Sequence, residues 1–243
     1  MDRYAKETYG DRIAGVYDEY HARLNPADGV AFLADLAGAG RVLELGIGTG
    51  RVALPLAARG VKVDGIDASQ RMVDQMRAKP GGNGIDVTIG DFSSFALDDR
   101  YALVYVVFNT FFALFDQDAQ VLCFERVATH LEPGGRFVLE CFVPDLARFD
   151  RGQSTTTTQL DVDDVRIDAS LHDAAAQVVR SQHIIIRDGK LEMFPVALRY
   201  AWPSELDLMA RLTGFEREAR YAGWNREPFS SASVSHVTVY RKS

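Results

Sequence analysis

The stretch Val42-Leu43-Glu44-Leu45-Gly46-Ile47-Gly48-Thr49-Gly50 decides how the rest of the chain is read. An apolar run leads into three glycines at alternating positions, and a helical pattern follows. Strand, glycine-rich turn and helix in that order let the backbone pass close to a ligand and present free amides at a helix start. A tight turn alone needs fewer glycines. Several nucleotide-binding folds share this arrangement, so the neighbouring residues have to separate them.

Outward from this stretch, residues 41–45, 61–66, 85–89, 103–108 and 136–142 are short apolar runs rich in Val and Ile. Amphipathic patterns at 50–59, 69–79 and 118–131 lie between them. Continuous apolar strands alternating with helices indicate an α/β domain with a parallel sheet covered on both faces. Ser69 is placed to cap the second helix. Leu131-Glu132-Pro133-Gly134-Gly135 stops the third and turns the chain into a strand. From residue 151 to 201 the period changes to alternation, in stretches 155–162, 165–172, 176–187 and 191–200. Asp188-Gly189 is a strong hairpin turn within them. An inserted antiparallel sheet is expected there, forming a substrate wall or a dimer contact. A helix at 203–212, with Ser204 near its start, and strands at 215–221 and 235–241 complete the chain. The expected units are a helical N-terminal lid (1–32), an α/β core (33–150), the insert (151–201) and the end of the core (202–243).

The chain has 243 residues, 47% of them hydrophobic and 25% charged, the balance of an ordinary globule. A net charge of −7 without any concentrated basic segment argues against nucleic acid as a partner. No apolar run approaches the roughly 18 residues that would cross a bilayer, and the first residues lack the apolar stretch of a signal peptide. Cys123 and Cys141 have no metal-type spacing and read as reduced core residues of a cytoplasmic protein.

Dinucleotide enzymes are the serious competitor for the glycine loop. Their glycines are spaced G-x-G-x-x-G, with an acid about 20 positions on for the ribose. Asp67 would hold ribose hydroxyls under either reading. Here, however, the spacing is G-x-G-x-G, and Glu44 stands two residues before the first glycine. A carboxylate beside a pyrophosphate repels it. S-adenosylmethionine (SAM) presents an ammonium and a sulfonium instead, and Glu44 suits those.

In these residues the chain resembles the class I SAM-dependent methyltransferases from about Leu33 onward. Glu44-Leu45-Gly46-Ile47-Gly48-Thr49-Gly50 is similar to the family's first motif, and Gly65-Ile66-Asp67-Ala68-Ser69 to its second. Gly90-Asp91-Phe92 resembles the third, and the 131–136 turn and the final strands resemble the remaining landmarks. The resemblance implies a Rossmann-like seven-stranded sheet with helices on both faces. It implies SAM as cofactor, held by Glu44, Leu45, Gly46, Gly48, Gly50, Asp67, Ala68, Met72, Asp91, Phe92, Phe108 and Asn109. Asp67 would hold the ribose, Asp91 would accept from the adenine amino group, and Met72 and Phe92 would border the ring.

The acceptor side is read from position. In open α/β sheets the ligand crevice lies beyond the carboxyl ends of the strands. The aromatic loop Phe108-Asn109-Thr110-Phe111-Phe112-Ala113-Leu114-Phe115 should lie there, with Phe115 facing the substrate. Asn109 is expected to bond the cofactor's methionine part or the substrate. Tyr9 and Tyr17, eight residues apart, would share one face of a lid helix and roof the pocket. The five histidines show no metal-type cluster, and no metal is expected. His21 and His236 are the candidate bases. This absence of a metal site favours an amine acceptor, which needs alignment more than a base.

The lead-in Glu7-Thr8-Tyr9-Gly10-Asp11-Arg12-Ile13-Ala14-Gly15-Val16-Tyr17-Asp18, the loop through Phe115 and the insert resemble antibiotic-pathway enzymes, especially lincosamide and amino-sugar N-methyltransferases. The implied activity is N-methylation of a small molecule by a possible homo-oligomer. O- or C-methylation, and a non-catalytic nucleotide-binding protein, are the alternatives.

Overall fold

The computed structural model describes residues 4–22 and 24–243. Short helices α1 (Thr8–Ile13) and α2 (Tyr17–Tyr20) lead into α3 (Ala27–Ala37). The core then runs β1 (Val42–Leu45), α4 (Ala53–Ala57), β2 (Val63–Asp67), α5 (Gln70–Arg77), β3 (Asp86–Ile89), β4 (Tyr101–Val106), α6 (Gln117–His130) and β5 (Leu131–Phe142). Strands β6 (Gln153–Leu160), β7 (Asp164–Asp173), β8 (Val178–Arg187) and β9 (Lys190–Arg199) form the insert. Helix α7 (Pro203–Leu212), β10 (Phe215–Tyr221) and β11 (Ser235–Lys242) follow.

The main sheet has seven strands in the order β10-β11-β5-β4-β1-β2-β3. Strands β1 to β5 pair in parallel, and β11 runs antiparallel between β5 and β10. Period-two alternation sends Leu43, Leu45, Val104 and Val106 to one core cluster, with Phe124 of α6 and Met209 of α7. Val42, Leu103 and Tyr105 go to the other, with Leu33 of α3, Leu56 of α4 and Met76 of α5. Both faces are therefore covered, which is why these strands read as unbroken apolar runs. Strand order reverses between β1 and β4, so the loops after their carboxyl ends diverge and leave a crevice.

Several local features differ from the sequence reading. Helix α4 is only five residues long, because Gly50 (φ +75°) and Gly60 (φ +87°) hold left-handed conformations on either side of it. Strand β5 begins at Leu131; Tyr101 pairs with Leu131 and Leu103 with Arg136, so residues 132–135 turn out of the ladder. Ser69 caps α5 as expected, accepting from the Met72 amide. Ser204 caps nothing: α7 starts after Trp202 with Pro203 in its first turn, where a missing N–H has no cost.

The lid is not one helix. Ala14, Gly15 and Val16 interrupt it, and glycine is a poor helix former by about 1 kcal/mol. Helix α3 crosses the boundary expected at residue 32. Val30, Phe32 and Leu33 are core residues, so the break between lid and core falls before Pro26. The four-stranded insert, in order β6-β7-β8-β9, turns one face to the lid. Ile185 and Phe194 of that face pack with Ile13, Ala14 and Met72.

Candidate active site

A cavity of about 370 Å³ lies beyond the carboxyl ends of β1, β2 and β4, partly covered by the lid and the insert. Its size falls within the roughly 300–1,000 Å³ of small-ligand pockets. Strand β1 and the loop after it contribute Glu44, Gly46 and Gly48; the β2 end contributes Asp67 and Ala68, with Met72 from α5. Phe92, Phe108, Asn109 and Phe115 close the far side, and Tyr9 and Tyr17 the roof.

Glu44 is 2% exposed and its Oε2 accepts from the Tyr105 hydroxyl at 2.8 Å. Burial pushes its carboxyl up to about 8, against the opposing pull of that hydrogen bond. Asp67 accepts from the Gly48 amide (2.7 Å) and the Ser69 amide (2.8 Å). Burial raises its carboxyl too, and the two amides oppose the shift. Arg51, directly after the third glycine, was not singled out by the sequence. Its guanidinium lies over the rings of Tyr17 (5.2 Å) and Phe108 (5.0 Å), and Nη1 is buried without a hydrogen-bond partner among the described residues. One buried carboxylate, one half-buried carboxylate and a guanidinium with an unpartnered Nη1 among the described residues thus face one cavity. A ligand carrying both charges and hydroxyl groups would satisfy them.

Three of the expected cofactor residues stand elsewhere. Leu45 is fully buried in the core on the α6 side, since alternation turns it away from Glu44. Gly50 lies outside the wall; a Cβ there would come within 2.6 Å of Met76 Cγ, so its role is close packing of loop on helix. Asp91 is not part of the wall; its Oδ2 lies 3.2 Å from Lys6 Nζ and its Oδ1 accepts from the Ser93 amide at 2.8 Å. Burial alone would raise the Asp91 carboxyl, but the Ser93 and Lys6 bonds outweigh it and hold it low. Lys6 takes the wall position instead.

Asn109 lines the cavity, but its Oδ1 is taken by the Phe142 amide at 2.6 Å. With φ at +54° and +63°, Phe108 and Asn109 form a left-handed corner held by Glu140, which accepts from the Phe108 amide. Phe111 and Phe112 turn wholly into the core, whereas Phe115 stays 37% exposed and meets Tyr4 edge-on at 5.4 Å.

The lid is tied down by polar contacts. Ser69 donates to Asp11 (2.6 Å), Thr49 donates to Asp18 (2.7 Å), and Lys79 pairs with Asp18. Neither expected base reaches the cavity. His21 lies behind the Tyr9 and Tyr17 rings, with Nε2 3.4 Å from the Tyr9 hydroxyl, and burial with nearby Arg51 lowers it to about 4. His236 is enclosed on β11 against Thr238 and is likewise lowered to about 4 by burial. The histidine in the wall is His183, on the insert. Among the described residues, no group of three or more His, Cys, Asp or Glu is arranged to hold a metal ion, and no helix is long and apolar enough to cross a membrane.

An open α/β sheet with a glycine loop, carboxylates at the ends of β1 and β2 and a lidded crevice defines a nucleotide-cofactor fold. Comparison with known proteins makes this specific. A family model for the methyltransferase domain matches residues 42–135. The structure of the CcbJ methyltransferase from Streptomyces caelestis is 42% identical, with a TM-score of 0.93 over 99% of this chain and 100% of that one. The cypemycin N-terminal methyltransferase from Streptomyces sp. is 29% identical over 241 residues, covering 96% of this chain and 97% of that protein. SAM-bound CalS10, an amino pentose methyltransferase from Micromonospora echinaspora, shares the fold at 22% identity, with a TM-score of 0.72 over 94% and 97% of the two chains. The chain belongs to the SAM-dependent methyltransferases, and SAM is its cofactor.

Proposed function

We propose that the protein transfers a methyl group from SAM to an amine nitrogen of a small molecule in an antibiotic-type pathway. The observation that carries this reading is the small, partly covered cavity, whose acceptor side is walled by Tyr4, Tyr9, Phe115, Val196 and Leu198. That enclosure suits a compact metabolite and not a nucleic acid. The amine is supported by relatives whose names specify such acceptors: the N-terminus of cypemycin and an amino pentose. The test is incubation with ¹³C-methyl SAM and a metabolite extract of the producing strain, followed by NMR of the labelled product. A methyl carbon bonded to nitrogen is expected; one bonded to oxygen or carbon overturns the reading.

SAM supplies an electrophilic methyl group on a cationic sulfur. The chain's own work is binding, alignment and exclusion of water, and alignment of that kind is worth about 7–11 kcal/mol. Glu44 would face the ammonium of the amino-acid end and Arg51 its carboxylate. Asp67 would use its remaining lone pairs on the ribose hydroxyls, and Ala68, Met72 and Phe92 would flank the base. Asn109 has its Nδ2 left to donate, since Oδ1 is engaged by Phe142.

Asp67→Ala is expected to weaken SAM binding by about 1.5–3 kcal/mol, through loss of charge-assisted hydrogen bonds. Calorimetry reads this directly, and an unchanged affinity would remove the ribose from this position.

The raised Glu44 carboxyl gives a pH signature. Below about pH 8 it is largely neutral in the free protein, and a bound ammonium favours the carboxylate. Binding therefore releases a proton, and SAM affinity should fall as pH drops from 8 to 6, by up to about tenfold per unit. Glu44→Gln should bind more weakly and show no such slope. A wild-type affinity flat over this range would place the ammonium elsewhere.

A further inference from the structure

The inward face of the insert holds a pair that the cofactor does not account for. Strands β7 and β8 place Asp168 directly opposite His183, and His183 Nδ1 lies 2.5 Å from Asp168 Oδ1. A carboxylate only accepts, so Nδ1 carries the hydrogen, and in the neutral imidazole Nε2 then presents a lone pair. Nε2 has no hydrogen-bond partner among the described residues, while the imidazole forms part of the cavity wall.

The other titratable groups of the wall are engaged or unsuited. Glu44 is bonded to Tyr105, Asp67 to the glycine loop, and Lys6 to Asp91. Burial raises the phenols of Tyr4, Tyr9 and Tyr17, so they keep their protons. The groups near His183 from neighbouring elements are Asp168 and Arg166 of β7, Tyr20 of α2 and His21 just after it. Phe194 of β9 is its uncharged cross-strand neighbour, and Arg51 stands across the cavity.

We propose that His183, oriented by Asp168, is the general base that removes the acceptor's proton. This rests on the amine reading above. A free amine of ordinary basicity arrives protonated near neutral pH, with its lone pair tied up. The acceptor's N–H bond breaks and an Nε2–H bond forms, and Asp168 faces the resulting imidazolium. The freed nitrogen lone pair then forms the N–C bond while the sulfur keeps the electrons of the breaking C–S bond. The imidazolium returns its proton to solvent at the mouth of the cavity.

The test uses His183→Gln, Asp168→Asn and His183→Ala, with the compound that acquires the ¹³C label as acceptor. His183→Gln should lose about 10²- to 10⁴-fold in kcat/KM at pH 7, with Kd for SAM unchanged. The deficit should shrink as pH rises and the amine arrives deprotonated, and added imidazole should partly restore His183→Ala. Asp168→Asn should fall between His183→Gln and the wild type. A packing role alone gives neither the pH-dependent deficit nor the rescue. Wild-type kcat/KM in His183→Gln, or a deficit equal at every pH, overturns the base. A methyl on oxygen or carbon in the wild-type product overturns the amine reading instead, and the variant arm still judges His183. Imidazole ¹⁵N shifts of the intact protein need no acceptor: His183 should carry its hydrogen on Nδ1 at pH 8, and an Nε2–H tautomer would overturn the proposal.

Discussion

Gly46→Ala is expected to raise Kd for SAM by about 100-fold or more and to lower thermal stability. Gly46 sits at φ +74°, a conformation that costs a residue with a Cβ about 1–2 kcal/mol. Space is the larger obstacle, because an added Cβ would stand 2.4 Å from Thr110 Cγ2. Gly46 is also fixed from beneath, since its amide donates to Ile66 O at 2.8 Å. Thr110 therefore has to give way, and it belongs to the corner of Phe108 and Asn109 that forms the opposite wall. The two sides of the cofactor crevice would be pushed apart together. Each kcal/mol of native-state cost should lower Tm by roughly 2–4 °C in a chain of this size. The double variant Gly46→Ala/Thr110→Ser removes the clashing methyl but not the backbone strain, so it should regain part of the affinity. Calorimetry and thermal melts on the three proteins read these terms separately. If Gly46→Ala binds SAM as the wild type does, the cofactor does not pass along this wall.

The parallel core was legible because each strand is covered twice. Burial on both faces leaves an unbroken Val- and Ile-rich run such as Tyr101–Val106, and glycines punctuate the exits. The insert was legible from the change of period after residue 151, although burial along β7 and β8 is mostly intermediate on both faces. Local chemistry also carried Ser69 as a cap and Asp188-Gly189 as a turn, with both residues at positive φ.

Long-range pairing was not legible. Asn109 reads as a polar outlier aimed at a ligand, yet its oxygen serves Phe142, 33 residues away. Asp91 reads as an adenine acceptor, and its contacts to Lys6 and Ser93 were not foreseen. Arg51 gave no periodic signal; its importance lies in a buried Nη1 with no hydrogen-bond partner among the described residues, which only the packed structure reveals. The pairing of Asp168 with His183 was within reach. The turn joining β7 to β8 pairs Asp173 with Val178, and five steps back along the ladder bring 168 opposite 183. Histidines weighed one at a time, by nearness to the lid or to the chain's end, concealed that register.

Tyr9→Ala should reduce kcat/KM for the acceptor by about 10²-fold while changing Kd for SAM by less than about threefold. Tyr9 roofs the cavity from α1, and its neighbours there are Tyr4, Tyr17 and Tyr20. Its removal admits water above the reacting atoms and loosens their alignment, and a displacement near 1 Å is worth about 10²-fold in rate. Burial and the neighbouring phenols raise the Tyr9 hydroxyl, so it remains protonated throughout the working pH range and takes no proton from the acceptor. Tyr9→Phe keeps the wall and gives up only a long contact to His21, at 3.4 Å, so it should retain activity within about threefold. Tyr17→Ala should behave differently. The Arg51 guanidinium lies 5.2 Å from that ring, and losing the ring frees the cation proposed for the cofactor's carboxylate. Kd for SAM should therefore rise together with the loss of kcat/KM, and Tyr17→Phe, which keeps the aromatic face, should restore both. Steady-state kinetics beside calorimetry, with melts to exclude unfolding, separate the two roofs. Normal turnover in Tyr9→Ala would make that tyrosine an anchor between α1 and the insert, and would move the acceptor's contacts onto β9.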